Sequence, residues 1–221
     1  MRVLILGATG MIGQGVLREC LADPDVTSVV VAGRTPIGQT HAKLTELLST
    51  DLTNWTSHEA QLAGIDACFY CLGVSSSGMS EADYTRITYD YTMALATSLH
   101  RASPSATFCF ISGASTDATE KGSVMWARVK GRAENALGRI GFRQLFLFRP
   151  GYIQPMDGIV SKTTSYRVMY AVMSPLYPVL KRLAPKMVTS TRQLGRAMLA
   201  VTKRGFPKQV LESTDINLAA Q

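Results

Sequence analysis

A chain of 221 residues with 46% hydrophobic and 18% charged residues carries enough material for one α/β domain and is excluded from the disordered and fibrous classes. No apolar run reaches the roughly 18 residues a membrane span requires, so membrane association is not expected. The net charge of +7 is uneven: residues 1–120 hold 6 basic against 12 acidic residues, and residues 121–221 hold 17 against 4. The basic residues are scattered and match no nucleic-acid module, so the second half reads as a solvated basic surface rather than as a nucleic-acid partner.

In chain order, Arg2–Leu6 is a short apolar run ending at glycine, as expected of a strand buried on both faces. Met11–Leu21 has helical periodicity, closed by Ala22-Asp23-Pro24. Strands are predicted at Thr27–Ala32, Leu44–Leu48, Asp66–Leu72, Thr107–Ile111 and Gln144–Phe148. Helices are predicted at Trp55–Leu62, Ser80–Arg101 and Ser123–Arg139. Such alternation implies a three-layer, doubly wound parallel sheet of the Rossmann type. Residues 1–221 read as a single domain. Residues 152–205 are expected to form a small helical cap over the carboxyl edge of the sheet. Within it the apolar stretch Tyr166–Leu183, broken by Pro175 and Pro178, suggests two short helices serving as a lid or a dimer contact. Thr191–Thr202 reads as a further helix, and a short strand is expected near Val210. With a strand at the very start and no apolar leader, the chain reads as cytoplasmic.

Cys68 and Cys71 have the spacing of a redox pair but fall in one strand, where residues three apart face opposite ways. Buried, reduced thiols are expected for Cys20, Cys68, Cys71 and Cys109. His41, His58 and His100 are isolated from other ligand types, so no metal site is expected.

Gly7-Ala8-Thr9-Gly10-Met11-Ile12-Gly13 lies between the first strand and the first helix. The first glycine permits the tight turn, the second lets a pyrophosphate approach the backbone, and the third lets helix and strand pack closely. The phosphates would meet the amides at the start of the helix. Cofactor choice turns on the end of the second strand, where an acid suits NAD and an arginine suits the 2′-phosphate of NADP. Ala32-Gly33-Arg34-Thr35 offers no acid, so Arg34 and Thr35 point to NADP, with NAD as the alternative; a solvated surface arginine is the plainer reading.

These motifs resemble those of the atypical short-chain dehydrogenase/reductases, in the branch similar to the Tat-interacting tumour-suppressor protein. The likeness extends through Asp51-Leu52, Cys71-Leu72-Gly73, Ser112, Lys130-Gly131 and Arg149-Pro150-Gly151. It implies that Asp51 bonds the adenine amine beside Leu52, and that Cys71, Leu72 and Gly73 line the adenosine side. It also implies that Lys130 holds the nicotinamide ribose and that Pro150-Gly151 lie under the nicotinamide. A helix N-cap is the competing role for Asp51. The reductase pattern Tyr-x-x-x-Lys is broken: the segment is Trp126-Ala-Arg-Val-Lys130, and an indole cannot exchange a proton at accessible pH. Two functions stay open. One is an oxidoreductase on a small-molecule carbonyl of unknown identity, with Ser112 or Ser115 polarising the carbonyl and Tyr152 or Tyr89 as candidate donors. The other is a regulatory or redox-sensing module that binds the dinucleotide without turnover. A homodimer stays open as one assembly, and the sequence does not fix the oligomeric state.

Overall fold

A computed structural model describes residues 1–160, 167, 170, 173–184 and 186–221. The first half runs β1 (Arg2–Leu6), α1 (Met11–Ala22), β2 (Ser28–Gly33), β3 (Leu44–Leu48), α2 (Glu59–Leu62) and β4 (Ala67–Tyr70). Next come α3 (Glu81–Thr85), a π-helical turn (Arg86–Asp90), α4 (Tyr91–Ala102), β5 (Thr107–Ile111), α5 (Met125–Gly138) and β6 (Gln144–Arg149). The chain ends with β7 (Tyr152–Gln154), α6 (Tyr177–Leu183), β8 (Val188–Ser190), α7 (Thr191–Arg204), β9 (Val210–Glu212) and α8 (Ser213–Ala219).

Seven parallel strands form one sheet in the order β3-β2-β1-β4-β5-β6-β9. Winding proceeds outward from β1 to β3, then restarts on the other side of β1 at β4. The crevice of a doubly wound sheet opens at that reversal. Helices cover both faces, so the strands read as unbroken apolar runs, Val3-Leu-Ile-Leu6 and Phe108-Cys-Phe110 among them. One core joins Ile5, Val31, Phe69, Cys109 and Phe148 to α1 and α7; the other joins Leu4, Val30, Tyr70, Phe110 and Leu147 to α4 and α5. Each fully buried phenylalanine contributes on the order of 2–3 kcal/mol. Cys71 belongs to the first core with Cys20 and Cys109, and Cys68 to the second, so the CxxC thiols lie on opposite faces.

Three details differ from the periodicity. The expected helix over 80–101 is continuous but contains the π turn, next to which Thr92 Oγ1 donates to the carbonyl of Thr88 at 2.7 Å; such back-bonding loosens a helix locally. Helix α7, expected within the cap, instead belongs to the layer on α1. A methyl on Gly15 would come within 2.6 Å of Thr191 Cβ, and one on Gly195 within 2.8 Å of Glu19 Cγ. Finally, β7 and β8 pair in a small parallel sheet of their own, and α8 follows β9 on a capping box of Glu212 and Asp215. Within the apolar stretch 166–183, α6 is observed; residues 166, 168–169 and 171–172 lie outside the described residues.

Candidate functional site

The site is built at the carboxyl edge, around the reversal between β1 and β4. Gly7 leaves β1 with φ +86°, and a methyl there would lie 2.6 Å from the Leu72 amide nitrogen. The loops after β1 and β4 therefore touch backbone to backbone. Gly10 N–H donates to the Gly7 carbonyl at 2.9 Å. A methyl on Gly13 would meet that same carbonyl oxygen at 2.2 Å, so the helix start is drawn tightly onto the loop. Gly10 caps α1 without a side-chain bond, and the first turn holds no acid. The amides of Met11, Ile12 and Gly13 thus have no acceptor within the helix, and the positive end of its dipole is uncompensated. Thr9, Met11 and Ile12 are half-buried around this cradle. An unsatisfied amide cradle of this kind fits a pyrophosphate.

The adenosine end is more open. Arg34 and Thr35 are exposed beyond Gly33, and Arg34 forms no ion pair with any described residue. A groove of about 720 Å³ runs from Thr9 along Gln14 and Arg18 to Ile37 and His41. Asp51 is neither a helix N-cap nor buried. It accepts from the hydroxyl and amide of Thr53 at 2.6 and 2.8 Å, and these bonds hold its carboxyl below the usual range. Leu52 is part of the core, its carbonyl accepting from Trp55 Nε1 at 3.1 Å. Burial pushes the Cys71 thiol up to about 12, leaving it an inert wall.

At the reacting end, α5 carries Trp126, Lys130 and Glu134 one turn apart. Lys130 Nζ donates to the Ile111 carbonyl at 2.9 Å, lies 5.2 Å from the centre of the Phe110 ring and 3.8 Å from where a Gly73 Cβ would be. It therefore bridges the ends of β4 and β5. Burial lowers its pKa to about 8, against the opposing pull of Glu134. Trp126 packs on Gly113, ring carbon Cζ3 lying 3.7 Å from the position of a Cβ there. The indole fills the space that the missing side chain leaves.

Ser112 faces inward. Its hydroxyl lies 2.6 Å from Glu134 Oε1 and 3.1 Å from the Phe148 carbonyl. A carboxylate is the stronger acceptor, so the single hydroxyl proton is committed to Glu134 and is not offered to a carbonyl in the crevice. Glu134 also takes both prongs of Arg149, Nε at 3.0 Å and the terminal nitrogen in a second, shorter contact. The carboxylate side chain is 2% exposed and the guanidinium 18%. These hydrogen bonds hold the Arg149 proton more firmly than usual. Tyr152 donates its hydroxyl to Gln154 Oε1 at 2.8 Å, and the Tyr89 ring lies under Arg132, 4.4 Å from its guanidinium carbon. Ser115 is exposed with φ 67°. Pro150 is buried and its carbonyl accepts from Ala114, while the Gly151 amide donates to Ser213 Oγ at 2.9 Å.

The fold thus gathers Gly7, Gly10, Gly13, Leu72, Gly73, Lys130 and Gly151 along one edge, and draws Leu52 and Ser112 inward. Glu134 and Gly113 were not singled out by sequence reasoning. A signal for Glu134 existed, since it stands one turn beyond Lys130 on the same helix face.

The description of the NAD dependent epimerase/dehydratase family matches residues 3–122, and the chain belongs to that family. Among curated proteins, mitochondrial protein fmp52 of Emericella nidulans is 30% identical over 158 residues, covering 68% of this chain and 66% of that protein. HTATIP2 of Rattus norvegicus is 26% identical over 153 residues, covering 68% and 62%. The matched stretch is thus just under two thirds of these relatives' length. Among solved structures, DesIV, a dTDP-glucose 4,6-dehydratase from Streptomyces venezuelae solved with NAD bound, has a TM-score of 0.71 at 15% identity, covering 96% of this chain and 75% of that one. The Rossmann fold and the likeness to the Tat-interacting branch both hold. The expected cytoplasmic location does not: the Fmp52 relatives are named mitochondrial. A strand at the start of the chain says how β1 packs, not where a protein is sent.

Proposed function

We propose that the chain binds NADP(H) along this edge and acts as an oxidoreductase on a small carbonyl substrate. The observation that carries the reading is the pairing of an amide cradle that has no side-chain cap with an exposed Arg34 beyond Gly33 that forms no ion pair among the described residues. The amides of Met11, Ile12 and Gly13 would hold the pyrophosphate, and Arg34 would grip the 2′-phosphate with two parallel N–H groups. Lys130 would meet the nicotinamide ribose and Gly151 the ring. A bound dinucleotide would supply a hydride there, with Trp126 packed on Gly113 as an apolar neighbour of the reacting end.

Titration calorimetry with NADPH and NADH on wild type and Arg34→Ala tests the assignment. The expected result is selective NADPH binding, weakened about 10–100-fold by Arg34→Ala, the range of one charge-assisted pair. Equal affinity for both dinucleotides, unchanged in the variant, overturns the choice of NADP. Binding of neither overturns the whole reading.

One observation favours a second reading, a module that binds the dinucleotide without turnover. Trp126 fills the space over Gly113, and Ser112 is committed to Glu134. Bound NADPH that stays reduced with every aldehyde, ketone and quinone tried would support it.

A further inference from the structure

The oxidoreductase reading leaves a proton unaccounted for. A carbonyl reduced to an alcohol needs one, and the groups first in line are engaged. Trp126 has no exchangeable proton at accessible pH. The hydroxyl protons of Ser112 and Tyr152 are held by Glu134 and Gln154. Tyr89 stands on the π turn, not at the end of β4 or β5, with its ring against the Arg132 guanidinium.

We propose that Lys130 itself gives the proton to the substrate oxygen, a role that rests on the oxidoreductase reading. The geometry is specific. The ammonium bridges the ends of β4 and β5, and among the described residues one of its three N–H groups is bonded, to the Ile111 carbonyl. Nζ also lies 5.2 Å from the centre of the Phe110 ring and 3.8 Å from where a Gly73 Cβ would be. Ile111 ends β5 and Gly73 follows β4, so the ammonium stands at the carboxyl edge where the open-sheet rule puts a ligand. Among the described residues no carboxylate forms an ion pair with it.

As the carbonyl carbon gains the hydride, the C=O π pair moves onto oxygen, and that oxygen takes a proton from Lys130 Nζ. The lysine is left as a neutral amine and regains its proton from solvent. Its surroundings make the neutral amine accessible. The loop after β4 presents Gly73, and β5 presents a carbonyl and an aromatic ring. The charged groups are Glu134 on the same helix, whose pull opposes that of burial, and its ion-pair partner Arg149 of β6. Burial therefore sets the balance, and a lysine poised near pH 8 matches the range in which general acids work well.

The test combines a rate with a direct readout of the amine. NADPH oxidation by 9,10-phenanthrenequinone is followed in single turnovers for wild type and Lys130→Arg across about pH 6 to 11. Arginine keeps the charge for the ribose but holds its proton throughout that range. The expected result is a wild-type rate that falls above about pH 8. Lys130→Arg should be slower by about 100-fold with that step gone and NADPH affinity changed less than about 5-fold. Separately, competitive acetylation of the wild-type protein, read by mass spectrometry, should show Lys130 reacting with a midpoint well below the ordinary lysine value. Wild-type turnover with a Lys130→Arg rate and pH profile unchanged overturns the proton assignment alone. A Lys130 that acetylates with the ordinary lysine midpoint overturns it without any variant. Tight NADPH binding with no wild-type turnover overturns the oxidoreductase reading and this proposal with it.

Discussion

The two ends of the crevice are built from different materials. At the phosphate end, around Gly7, Gly10 and Gly13, the contacts are backbone to backbone and every distance is set by the absence of side chains. At the reacting end, Lys130, Glu134 and Arg149 are charged side chains held in a nearly dry setting. A backbone cradle has few substitutes, because at Gly7 and Gly13 a Cβ would come within 2.6 and 2.2 Å of main chain. A buried charge cluster can be rearranged one side chain at a time, provided charge is balanced. The difference teaches that the two ends are separable as structures: the glycine cradle keeps its form while the reacting end departs from the reductase pattern at Trp126.

That contrast can be broken at its strongest point first. Glu134→Ala leaves the half-buried Arg149 without its counter-charge and should cost about 3 kcal/mol in urea unfolding, the low end for a broken buried pair. NADPH affinity of the folded fraction should change little; an equal loss of binding would erase the distinction between the ends. Gly13→Ala should cost about 3 kcal/mol, since the new methyl meets the Gly7 carbonyl oxygen at 2.2 Å. Here stability and NADPH binding should fall together, and a variant that binds normally would show that the cradle yields more easily than its geometry suggests.

Lys130→Met sharpens the contrast in the opposite direction. The native state releases the Lys130 proton near pH 8, whereas the unfolded chain keeps it to about 10.5. Between those values the unfolded state binds more protons, so stability rises with pH through that window. Below it the wild type carries the full cost of a buried cation. Lys130→Met should therefore stabilise by about 2–3 kcal/mol at pH 7, a gain that shrinks toward pH 10. Thermal melts at the two pH values measure it, and a variant destabilised at both would mean the cation is better solvated than its burial implies. The smallest effect belongs to the surface. Lys203 bridges Asp23 and Asp25 at 2.7 and 2.5 Å, and Lys203→Ala should cost about 0.5 kcal/mol, most of it lost in high salt.

Much of this was legible in the chain itself. The apolar runs at Arg2–Leu6 and Thr107–Ile111 and the glycine spacing after β1 each follow from simple rules: strands covered by helices on both faces are apolar throughout, and a phosphate loop needs glycine where backbone meets backbone. The break at Trp126 was equally plain, because residue type alone excludes the proton transfer. Sequence could not show that Ser112 turns inward, since its partner Glu134 lies 22 residues away and reaches it only when α5 folds over β5. Nor could it show that Asp51 makes a turn with Thr53, or that α7 joins the layer on α1 through Gly15 and Gly195. Helical periodicity records which face is apolar but not which neighbour covers it. Motif spacing and burial are properties of the chain and were determined by it; hydrogen-bond direction, the pairing of charges and the depressed Lys130 pKa depend on what packing brings near, and only the tertiary structure decided them.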